Sequence, residues 1–152
     1  MHGTVLPATP GNHEKQMAKP PAKSTVSASI KDNRLIITLA GNISVKEAER
    51  IYTDIRFAVA DLQPGFAAIT DLSHSRIGHL SAIGTFRKIM AFLKEKEVGL
   101  VIRIIGKGRI IYLQMLQLAT PDSNYKPIYV SSMEEARALL EKLSGSSPGN
   151  TG

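Results

Sequence analysis

The chain predicts an α/β protein with a single mixed, mostly parallel β-sheet covered by helices, in the order ββαβαβαβα. Three observations carry that expectation. Two strand-like runs at 25–31 and 34–40 flank the turn dipeptide Asp32-Asn33, which reads as a hairpin. Apolar residues recur at three- and four-residue steps over 44–62 and 80–96, the period of a helix with one buried face. Between and after these lie two short, nearly continuous apolar runs, Phe66–Leu72 and Val98–Ile105, the pattern of strands buried on both faces. Strand–helix alternation after a hairpin favours one sheet that becomes parallel after its first strand.

In the first strand Val26, Ala28 and Ile30 alternate with polar residues, which implies one buried face. The second, around Leu35, Ile36, Ile37 and Leu39, is more continuously apolar, as a central strand is. Ser44 followed by Glu47 forms a capping-box pattern, and Pro64-Gly65 ends the helix that it opens. Ser73–Ser81 reads as a polar loop after the Phe66–Leu72 strand, leading into a helix with Ile83, Phe86, Met90 and Leu93 on its apolar face. Arg103 interrupts the Val98–Ile105 strand. Gly106-Lys107-Gly108 opens a helix over 109–119 that Thr120-Pro121 stops. A short strand at 127–130 and a last helix, capped by Ser131 or Ser132 with Met133, Ala136, Leu140 and Leu143 inward, complete the chain.

Residues 1–23, with four prolines and no apolar period, read as a disordered tail, as do 144–152. Residues 24–143 form the domain. An apolar share of 43% is enough for a real core. The absence of cysteine excludes disulfides, thiolate catalysis and cysteine-ligated zinc. No run approaches the roughly 18 apolar residues of a membrane span, and the N-terminus lacks a signal-peptide pattern, so the expected location is cytoplasmic with no membrane insertion. The net charge of +6 is dispersed over the tail and one helix, and aromatic residues are few. Both features argue against nucleic-acid binding.

Several of these stretches resemble the STAS domains, named for sulfate transporters and anti-sigma-factor antagonists. LIITLAGNISVKEAERI is similar to the family's second strand and first helix, ITDLSHSRIGHLSAIG to its hydrophobic strand and site loop, and YVSSMEEARALLEKL to its closing strand and helix. The resemblance implies a STAS-like fold and a non-enzymatic regulatory or protein-interaction role. It also implies a protein partner, a kinase or an anti-sigma-like regulator, and phosphorylation of a Ser or Thr where the second helix starts. Aligned without gaps from Asp71, the family's Asp-Ser-Ser-Gly pattern falls on His79, Leu80, Ser81 and Ala82. Leu80 thus stands at the usual acceptor position, and Ser81 and Ser75 are the candidate phosphoacceptors.

Beside that reading stand candidates from the residues themselves. Asp71, Ser73, His74 and His79 crowd one site loop, although their spacing matches neither a metal motif nor a nucleophile elbow. Lys107, Gly108 and Arg109, between a strand and a helix, offer an anion or nucleotide site, and the alternative function is small-molecule, nucleotide or anion binding there. In a parallel sheet this loop and the Ser73–Ser81 loop share one rim, where ligands of open α/β sheets bind. The helix over 110–118 is apolar almost all round; Ile111, Met115 and Leu118 are expected to form a partner or homodimer patch, with burial inside the monomer as the plain alternative. No cofactor or metal is implied.

Overall fold

Burial of the two hydrophobic sheet faces decides how the elements stack. The computed structural model describes residues 23–78, 81–106, 109–117 and 126–145. Five strands, β1 (Thr25–Ser29), β2 (Arg34–Ile43), β3 (Ala67–Ile77), β4 (Val101–Ile104) and β5 (Ile128–Val130), lie in that spatial order. β1 runs antiparallel to β2 and every later pairing is parallel. Helices α1 (Val45–Val59), α2 (Ala82–Glu95), α3 (Arg109–Gln117) and α4 (Met133–Gly145) connect and cover them. The order is the one the sequence predicts.

Alternation on β2 sends Leu35, Ile37 and Leu39 into the main core with Ile51 and Ile55 of α1, Phe86 and Ile89 of α2, and Met115 of α3. Each such side chain contributes about 1.5–3 kcal/mol relative to exposure. A smaller core on the other face joins Ile69, Ile102 and Ile104 to Ala136 and Leu140 of α4. β3 is thus apolar on both faces, and β4 buries Ile102 and Ile104 on one face and Val101 beside Arg103 on the other, which is why they read as nearly continuous runs.

Several expected details shift. β1 ends at Ser29, and Ile30 enters a four-residue turn in which Asn33 takes a left-handed φ of 54°. Ala28 and Ile30 are exposed rather than buried, because β1 is the sheet's edge and only Val26 packs on the core. Ser44 caps α1 through Glu47 N–H (3.1 Å), but the Glu47 carboxylate pairs with Arg50 instead of closing the box. Ser132 caps α4 through Glu135 N–H, and the Glu135 carboxylate accepts from Ser131 N–H. Leu143 is exposed, since α4 runs on to Gly145 past the sheet's cover. Residues 1–22 and 146–152, most of the two expected tails, lie outside the described residues.

Helices α1 and α2 are clamped by polar groups as well. Thr85, buried on α2, donates to Glu49 Oε2 at 2.6 Å, and Lys88 Nζ reaches the same oxygen at 3.1 Å. Tyr52 stands edge-on to Phe92 with Arg56 and Lys88 over its ring. The two hydrogen bonds hold the Glu49 carboxyl below its ordinary range.

Candidate functional site at the strand rim

The stretch expected as a loop is largely strand. β3 continues through Ser73, His74 and Ser75 to Ile77, pairing with Ala40–Ile43 of β2. Thr38 pairs with Asp71 but Ala40 with His74, so β3 carries one extra residue there, a β-bulge. The Asp71 carboxylate holds the bulge: its Oδ1 accepts from Ser73 N–H (3.0 Å) and from the Ser73 hydroxyl (2.6 Å). That is an Asx-type local closure. Past the bulge, His74 and Arg76 are exposed while Ile77 turns inward. Polar residues on an exposed strand face mimic a loop in sequence, which explains the misreading.

β4 pairs with β3 only as far as Asp71, so among the described residues no strand lies beside the outer edge of Ser73–Ile77. Gln114 of α3 takes that place. Its Oε1 accepts from Ile77 N–H (2.9 Å) and its Nε2 donates to Ile77 C=O (3.2 Å). A single side-chain amide thus extends the ladder by one residue.

The two loops expected to share a rim do touch. Gly106 has φ +62°, and a Cβ there would sit 2.9 Å from the Ser73 Cβ. Glycine is needed both for the left-handed turn and for the close approach. Of the anion-site candidates, Lys107 and Gly108 lie outside the described residues, and only the backbone of Arg109, the first residue of α3, is described.

Ser81 occupies the N-cap position of α2 with φ −67° and ψ −16°, and its side chain makes no capping hydrogen bond. It is exposed. The Ser75 hydroxyl instead donates to Leu72 C=O at 3.1 Å within the strand. His79 and Leu80 lie outside the described residues. Among the described residues no group of three or more His, Asp or Glu side chains is placed to hold a metal ion.

The expected patch on α3 is corrected. Ile111 and Met115 are core residues, and Leu118 lies outside the described residues. Among the described side chains of this helix Ile110 and Leu113 are the exposed apolar ones, because the face carrying Ile111, Gln114 and Met115 is the one laid on the sheet. Residues that sequence reasoning undervalued include Gln114, read only as part of a polar stripe, and Arg103, whose lone charge in VGLVIRII was the available signal.

The strand order, the hairpin and the helices define a STAS-like α/β domain. It is similar in structure to the anti-sigma factor antagonist SpoIIAA in its unphosphorylated form, at a TM-score of 0.54 and 14% identity over 80% of this chain and 98% of that one. An uncharacterised protein with a SpoIIAA-like fold from Shewanella loihica matches at 0.57 and 18% identity, over 77% and 91% of the two chains. The murine anion transporter Solute Carrier 26 family member A9 matches at 0.54 and 11% identity, with 86% of this chain covering 24% of that one. No family model and no curated protein matches the sequence. Among the described residues no helix is long and apolar enough to cross a membrane.

Proposed function

We propose that this protein is a non-enzymatic cytoplasmic regulatory module that binds a protein partner through the rim formed by the end of β3 and the start of α2. Ser81 is its point of control, and the partner is a kinase or an anti-sigma-like regulator. The observation that carries the reading is the place of Ser81: exposed, at the N-cap of α2, with no acidic residue in the first turn of that helix. A phosphate there would meet unpaired amide N–H groups and the positive end of the helix dipole, with no acidic residue in the first turn to oppose it. Ser75 is the weaker acceptor, because its hydroxyl is bonded inside a paired strand. The likeness to an anti-sigma factor antagonist supports a regulatory role on the same scaffold.

The test is fragmentation mass spectrometry of the protein isolated from its own host. A phosphate on Ser81, lost in Ser81→Ala, is the expected result, together with weaker partner capture by Ser81→Glu. An unmodified Ser81 under all growth conditions, with partner capture unchanged in Ser81→Glu, would remove the switch.

A further inference from the structure

The sheet edge beside α1 lacks the devices that usually close such an edge. β1 pairs with β2 on one side, and among the described residues no strand lies on its other side. Asn33 N–H donates to Ile30 C=O at 3.2 Å, so antiparallel alternation turns the N–H and C=O groups of Ser27 and Ser29 outward. Natural edges are blunted by lysine, proline or a bulge, and TVSAS, Thr25–Ser29, has none of these. The edge borders a groove of about 400 Å³ lined by Val26, Ala28 and Ile30 of the hairpin and by Asp54, Phe57 and Asp61 of α1. Phe57 is 76% exposed and Ile30 66%, the two most exposed large apolar side chains among the described residues.

Asp54, Phe57 and Asp61 follow one another at steps of three and four residues, so they share one face of α1 over about 10 Å. An extended segment that complements this face carries a cation, an apolar residue and a cation at alternate positions, about 14 Å in all. Residues 1–22 lie outside the described residues, but their sequence leads directly into β1 through Lys23 and Ser24. It contains that pattern: Lys15, Met17 and Lys19 alternate with Gln16 and Ala18, and the turn-favouring Pro20-Pro21 follows. The direction also agrees. Ser24 C=O accepts from Arg50 Nη2 (3.1 Å), and Asn33 at the far end of the hairpin bonds to Gln63, so β1 runs along α1 from Arg50 toward Asp61. Arg50 bonds Asp54 at 2.8 Å, whereas Asp61 has no ion pair among the described residues.

We propose that residues 15–19 of this chain dock antiparallel to β1 and cover its edge. Ala18 opposite Ser27 and Gln16 opposite Ser29 take up the outward backbone groups. Lys19, Met17 and Lys15 then fall opposite Val26, Ala28 and Ile30, on the side that faces α1. Met17 lies against Phe57, and Lys15 reaches Asp61. A second copy is the poorer occupant, because pairing two β1 edges sets the acidic α1 faces of both copies side by side, and like charges across strands repel. The short link from Lys19 into β1 also gives the segment an effective concentration in about the millimolar range. While seated, the segment closes the edge to strand addition by another chain, and its release opens both edge and groove.

The experiment measures hydrogen exchange of the Ser27 and Ser29 amides by NMR in the full chain, at several protein concentrations. Both amides should be protected at every concentration, with a nuclear Overhauser contact between Met17 and the Phe57 ring. Met17→Asp should speed their exchange at least about tenfold while Ile69, deep in the sheet, is unaffected. Phe57→Ser, at an exposed position, should do the same. Lys15→Glu should give a smaller acceleration that the added Asp61→Lys reverses. Unprotected Ser27 and Ser29 amides in the unaltered chain would overturn the proposal. So would protection that Met17→Asp and Phe57→Ser leave unchanged, or protection that grows with concentration, the mark of a second copy.

Discussion

Replacing Gln114 by methionine isolates the amide that completes the free edge of β3. Methionine keeps the length and the apolar stem but removes both the acceptor for Ile77 N–H and the donor for Ile77 C=O. Each hydrogen bond is worth about 1 kcal/mol net, so the pair amounts to about 2 kcal/mol. For a domain of this size that lowers the melting temperature by roughly 8 °C. Urea unfolding should show a lower midpoint at an unchanged slope, the sign of lost stability without a change in exposed surface. Hydrogen exchange at the Ile77 amide should accelerate more than at Ile69, which β4 pairs directly. Gln114→Glu sharpens the test by pH. The ionised acid has no proton for Ile77 C=O, so folding favours the neutral form and raises the group's pKa. The variant should then be most stable at acid pH and weaken as pH rises through that raised value. A loss below about 0.5 kcal/mol in Gln114→Met, with Ile77 still protected, would refute the idea that the amide acts as a strand partner.

Two further outcomes are expected. Gly106→Ala should cost roughly 2 kcal/mol, from its positive φ and the 2.9 Å approach to the Ser73 Cβ; chemical denaturation measures it, and the largest NMR shifts should fall at Ser73. Thr85→Val should return the Glu49 carboxyl toward its ordinary range, since the Thr85 hydrogen bond is the first cause of its depression. A depressed folded-state pKa contributes stability above the unfolded value, and that stability is lost as pH falls through the folded one. The variant should therefore show a smaller loss between neutral and acid pH, checked by NMR titration of Glu49 and by unfolding across that window.

Much of the scaffold was legible because its signals are local. The helical period over 44–62, the Ser44 cap and the two apolar runs need only neighbouring residues to be recognised. What went wrong has a common origin. Ser73–Ile77 looked like a loop because its exposed face is polar, and whether such a segment is strand depends on Ala40–Ile43 beside it. Ile30 looked buried because it kept the alternation of β1, but it falls in the turn beyond the strand's end, past the part of that face that packs on the core. Ile111 and Met115 looked like a partner surface because α3 is apolar almost all round, and periodicity does not say which side meets the sheet.

The sequence by itself determined the kinds of element, their order and the parallel sheet, since those follow from hydrophobic period, caps and turn residues within a few positions. Only the tertiary structure decided what the polar residues among them do. Gln114 and Ile77 are 37 positions apart, Arg103 and Tyr129 are 26 apart, and Gly106 meets Ser73 across two strands' ends. Such pairs are made by packing, and no local pattern in the chain marks one member for the other. The β3 edge completed by Gln114 and the close approach of Gly106 to Ser73 are therefore properties of the fold, written in residues that look ordinary one at a time.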